Sequence, residues 1–100
     1  MVGFKLRLED TYWSKGFFNV PVDFERFLSQ DDGPVNIYLG TADTPTVGRM
    51  ARSANQNAAT GVYGNMPLRA FFQSNFKRGA SVFVEFVSLR SMRICGHTAG

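Results

Sequence analysis

Apolar side chains recur at period two in this chain, in runs too short for a helical bundle and frequent enough for a small curled sheet. Phe4-Lys5-Leu6-Arg7-Leu8 alternates apolar and polar, the pattern of a strand with one buried face. Gly16-Phe17-Phe18-Asn19-Val20 is a second extended run, and Val35 to Leu39 a third, entered through the turn signal Asp31-Asp32-Gly33-Pro34. Thr46 to Arg52 reads as a strand in which Val47 and Met50 fall out of phase, and Thr60 to Gly64 as its short return. Ser81 to Val87 is the strongest strand, with Leu89 to Cys95 as its hairpin partner. Helical spacing occurs only twice. After Pro21, whose fixed φ suits a first turn, Phe24, Phe27 and Leu28 fall at i, i+3 and i+4, which predicts a helix of about two turns. Asn65-Met66-Pro67 opens the second, with Leu68, Phe71, Phe72 and Phe76 on one face, Lys77 and Arg78 at its end and Gly79 as a left-handed cap. Seven strands and two short helices predict a mainly β domain, a seven-stranded pseudobarrel that hides its sheet edges by curling.

A chain of 100 residues has room for one core, which is assigned to residues 1–96, with 97–100 as a tail or the start of a linker. Ten phenylalanines and 14% aromatics give that small core a large apolar load against its ordering entropy. No apolar run is long enough to span a bilayer, so no membrane partner is expected. A single cysteine, Cys95, and the absence of a signal-peptide pattern point to a reducing cytoplasm. The net charge of +3 is unevenly spread. Residues 1–45 carry four cations against seven carboxylates, and residues 46–100 carry seven cations against Glu85 alone.

Few residues offer chemistry. One imidazole, one thiol and scattered carboxylates do not assemble a metal site, and no cofactor is expected. Asp31 and Asp32, flanked by Gly33-Pro34, read as a solvated turn rather than an acid/base pair. Glu85-Phe86-Val87 lacks the lysine of a nuclease acidic-x-Lys element. His97 sits in a glycine-bearing tail with nothing to fix it, and Cys95 ends an apolar strand as a small buried hydrophobe. No glycine pattern matches a phosphate-binding loop. The chain is therefore expected to perform no catalysis itself.

What remains is binding. Arg49-Met50-Ala51-Arg52-Ser53-Ala54-Asn55-Gln56-Asn57 gathers two guanidiniums and three side-chain amides, the inventory that reads guanine and adenine edges in a major groove. A polar surface loop explains the same composition. Glu9 to Lys15 is a polar excursion between strands, in which Ser14 and Lys15 can meet a phosphate or a base edge and Trp13 is a core side chain reached by a fold-back. Phe71, Phe72 and Phe76 are core, while Arg69, Lys77 and Arg78 are phosphate neighbours or solvated caps.

Two stretches together resemble a known family. Gly16-Phe17-Phe18-Asn19-Val20-Pro21 leading into a helix at Asp23 to Leu28 is similar to the opening of the B3-type DNA-binding domain. Leu68 to Phe86, an aromatic-bearing helix, a basic turn with Gly79 and a valine- and phenylalanine-rich strand, resembles its other hallmark. Plant members carry an acidic residue just after the turn glycine, where Ala80 stands here, so the resemblance favours the bacterial branch, the recognition domains of type II restriction endonucleases. It implies a B3-like pseudobarrel that grips the major groove of double-stranded DNA with two loop arms, Glu9 to Lys15 and Arg49 to Asn57. Ser14, Lys15, Arg52, Asn55, Gln56 and Asn57 are then expected to read bases, and Arg49, Lys77 and Arg78 to hold phosphates. Cleavage is expected from a nuclease domain elsewhere. Two alternatives stand beside this: a small barrel that binds single-stranded nucleic acid on Tyr12, Trp13 and Tyr63, and a protein-interaction domain.

Overall fold

The computed structural model describes residues 2–52 and 60–95. The chain is mainly β, a seven-stranded curled sheet forming a half-barrel, with three short helices. In chain order these are β1 (Gly3–Arg7), α1 (Asp10–Lys15), β2 (Phe17–Val20), a 3-10 helix (Val22–Phe27), β3 (Gly33–Leu39), β4 (Thr46–Ala51), β5 (Thr60–Tyr63), α2 (Asn65–Asn75), β6 (Ser81–Ser88) and β7 (Ser91–Cys95). The strands lie in the order β1-β6-β7-β3-β4-β5-β2. All neighbours are antiparallel except β3 and β7.

Alternation decides the inside. Phe4 and Leu6 of β1, Phe18 and Val20 of β2, Val35 and Ile37 of β3, and Val82 and Val84 of β6 all turn inward. β1 and β2 are the two edge strands, yet the rings of Phe4 and Phe18 come within 6.4 Å of each other across the core. The sheet therefore curls until its edges share one interior, which relieves the edge problem without full closure. α2 covers one end and buries Leu68 and Phe72 completely, with Phe71 and Phe76 packed at the margin of the core. Among the described residues no helix is long and apolar enough to cross a membrane.

Three local expectations are revised. Glu9 to Lys15 is not an open excursion: Asp10–Lys15 forms a third helix, ended by Gly16 in the left-handed region at φ 73°, whose N–H donates to Tyr12 O at 3.0 Å. Trp13 makes the fold-back expected of it, donating its indole N–H to Phe76 O at 3.0 Å. Gly79 does not cap α2, which stops at Asn75 with Phe76 extended. At φ 90° Gly79 instead belongs to the turn from Lys77 to Ala80, and its N–H donates to Leu8 O at 2.7 Å. Lys77 and Arg78 accordingly lie beyond the helix and do not complement its dipole. Gly33 and Pro34, read as a turn, are the first residues of β3. Pro34 is tolerated there because β7 pairs with β3 only from Asn36 onward, and the Pro34 carbonyl is taken by Arg90 Nη1 at 3.1 Å.

Candidate functional site

The outward face of β4, β5 and β2 is the surface on which the expected site residues can be placed. Phe18 and Val20 point into the core, so Phe17 and Asn19 must point out; in the same way Val62 commits Tyr63 outward and Met50 commits Arg49. Register aligns these into rows. Arg49 faces Tyr63, and Tyr63 faces Phe17. The next row is Ala51, Gly61 and Asn19. The rings of Phe17 and Tyr63 are stacked, with centroids 5.3 Å apart and planes 15° from parallel, and Tyr12 of α1 meets Phe17 edge-on at 5.3 Å. Gly61 leaves room for this: a β-carbon there would lie 2.9 to 3.1 Å from Tyr63 Cε2, Oη and Cζ, so the phenol end reclines over the glycine. These three strands carry no carboxylate.

α1 borders this face at one end. Its last residue, Lys15, is exposed, and Ser14 is half-buried. Gly16 then fits so closely against α2 that a β-carbon would stand 2.7 Å from Arg69 N, which sets the exposed Arg69 beside the same corner. At the other end of β4 and β5, the connection to which Asn55, Gln56 and Asn57 belong lies outside the described residues. Its two flanks are both fastened to the segment between β2 and β3. The Arg52 N–H donates to Asp32 Oδ1 at 2.7 Å, and the buried Thr60 hydroxyl donates to Glu25 Oε2 at 2.6 Å.

Among the described residues the arginines divide into those held by the chain's own groups and those with no such bond. Arg52, expected to read bases, donates through Nη1 to Ser29 O at 3.2 Å and Glu25 O at 3.4 Å. Arg78, expected on phosphate, pairs with Asp10 at 3.0 Å and lies over the Trp13 ring at 5.1 Å. Arg90 and Arg93 are held by main-chain carbonyls, Arg93 at Gly40 O (2.6 Å) and Ala42 O (3.1 Å) while stacked on Tyr38. Arg49 and Lys77 are exposed. Arg49 thus shares one sheet face with the aromatic pair and Lys15 ends the helix that borders it, whereas Arg78 belongs to the α1 and α2 side. Phe17 and Asn19 are the residues that sequence reading left out, although strand alternation around Phe18 carried the signal.

Elsewhere the chemistry is sparse. Burial pushes the Cys95 thiol above its ordinary value, reinforced by Glu85 and opposed by Arg93, so it is a poor nucleophile. Among the described residues no group of His, Cys, Asp and Glu could hold a metal ion. A shallow groove of about 320 Å³ lies at the end of the sheet away from α1, lined by Val2, Phe27, Phe86, Val87 and Leu89 with Arg26 and Ser88. No family model, characterised protein or solved structure matches the chain.

Proposed function

We propose that this chain is a sequence-specific, double-stranded DNA-binding domain of the B3-like kind, the recognition module of a restriction endonuclease whose cleaving domain lies elsewhere and which works in the cytoplasm. The observation that carries the reading is the outer face of β4, β5 and β2, free of carboxylates, bearing Arg49 and bordered by Lys15 at the end of α1. Arms at opposite ends of two short paired strands suit a duplex laid across the sheet, because β2 and β5 pair over only four residues. Ser14 and Lys15 reach base edges from one arm, and Asn55, Gln56 and Asn57 from the other. Arg49 and Lys77 hold phosphates, which gives affinity and orientation without sequence information. Arg52, tied to Ser29 and Glu25, anchors the root of its arm, and Arg78, paired with Asp10 through Nε, keeps its terminal nitrogens for phosphate against a partly neutralised charge.

Selection of bound duplexes from a randomised pool tests the reading. A recovered consensus is expected, and an unenriched pool at low salt overturns it. A protein-binding role is the second reading, and the apolar groove at Val2, Phe27, Val87 and Leu89 is the observation in its favour. Indifference to every DNA sequence would decide for it.

A further inference from the structure

We infer that the Phe17 and Tyr63 pair is a stacking seat for one unpaired nucleobase, so that the DNA preferred by this domain carries, or acquires on binding, an unstacked nucleotide. The inference rests on the DNA-binding reading. Its starting point is that these two rings have no work in the core. Phe18, one residue on, is fully buried, and Tyr12, Trp13, Phe71 and Phe76 pack against the core cluster, whereas Phe17 and Tyr63 are not among the side chains that do. They lie half-exposed on the outer face, parallel within 15°. Their broad surface is kept low by Gly61, over which the Tyr63 phenol reclines, and by Ala51 beside it.

The surroundings match the other parts of a nucleotide. Asn19 is paired with Gly61 in register and so stands beside the phenol end, where its amide can meet a base edge. Arg49 is paired with Tyr63, which places one cation beside the rings for a flanking phosphate, and the exposed Lys15 ends α1 just before β2 begins. An aromatic surface with cations beside it is the composition used to bind bases by their π-faces. In an intact duplex both faces of every base are covered by its neighbours, so a ring lying along a sheet can reach only a base that has left the stack.

The test is a competition between a short duplex and the same duplex with a central one-nucleotide bulge, followed by cross-linking. The bulged form is expected to bind at least about fivefold tighter, the lower bound for one base stacked on an aromatic side chain. Phe17→Leu and Tyr63→Leu are expected to remove that preference while Tyr63→Phe keeps it, each with a thermal melt to show the fold intact. With 5-iodouracil as the bulged base, ultraviolet cross-links are expected on Phe17 or Tyr63, a readout in the wild-type chain that needs no variant to fold. Equal binding of the two duplexes, or cross-links mapping away from both rings, overturns the seat. If a consensus is still recovered from the randomised pool, the DNA-binding reading survives that result; if neither duplex binds, the seat falls, and an unenriched pool takes the DNA-binding reading with it.

Discussion

Arg52 donates its backbone N–H to Asp32 and its guanidinium to the carbonyls of Ser29 and Glu25. A charged donor on a backbone carbonyl contributes about 1.5–3 kcal/mol when water is kept away, and the half-buried position of Arg52 argues for the lower end. Arg52→Ala is therefore expected to lower stability by about 1.5 kcal/mol, read as a shift of the urea midpoint at unchanged m-value. Unchanged stability with altered DNA preference would return Arg52 to base reading. Composition put Arg49 and Arg52 in one basic, amide-rich segment, with Arg52 expected on bases and Arg49 on phosphate, and carried no sign that Arg52 is held by the chain itself. What separates them is where the neighbouring carbonyls fall: Arg49 stands on an open sheet face, while Arg52 follows β4 into the reach of a segment more than twenty residues earlier in the chain.

The short helices depend on their packing rather than on their own sequences. α1 has only six residues and no i, i+3 apolar period, so an isolated peptide of this sequence does not form it. It exists because Trp13 bonds to Phe76 O and Gly16 turns the chain sharply against α2. Gly16 and Gly79 make a controlled comparison, since both have positive φ. A β-carbon at Gly79 meets nothing within 4 Å, so Gly79→Ala is expected to cost only the backbone strain of about 1–2 kcal/mol. At Gly16 it would press on Asn65 O at 2.6 Å and Arg69 N at 2.7 Å, backbone atoms that cannot swing aside. Gly16→Ala is thus expected to cost about 2–4 kcal/mol, strain plus over-packing, measured by thermal unfolding. The reverse order of the two variants would show that α1 and α2 are not closely docked. The 3-10 helix fared better in sequence because Pro21 and the Phe24 and Phe27 spacing are local signals, although its first residue is Val22 and its hydrogen bonding is tighter than an α-helix.

Taken as a whole, the basic half of the chain is a less concentrated patch than its +6 charge suggests. Arg52, Arg90 and Arg93 fasten loops to strands, and Arg78 pairs with Asp10, which leaves Arg49, Arg69 and Lys77 as the exposed cations of that half without such bonds among the described residues. Each phosphate neutralised contributes about 0.9 to the slope of log affinity against log salt. Lys77→Ala and Arg49→Ala are each expected to reduce that slope by about 0.9, and Arg93→Gln to leave it unchanged, in titrations over a range of salt. Equal effects from all three would make the positive field diffuse rather than directed. The strand pattern was legible because alternation is a local property that announces the buried face of most runs; β4 is the exception, where Val47 is exposed and Met50 buried and only pairing shows which face is inward. Which outward residues become neighbours was not legible. Phe17, Tyr63 and Arg49 are far apart in sequence and form one row only through the pairing of β2 with β5 and β5 with β4. Sequence by itself determined the seven strands, the inner faces of all but β4, and the single core. Only the tertiary structure decided the order of the strands in the curled sheet, the helix at Asp10–Lys15 and, among the described residues, the division of arginines into held and free, because each depends on carbonyls and rings that distant parts of the chain bring into contact.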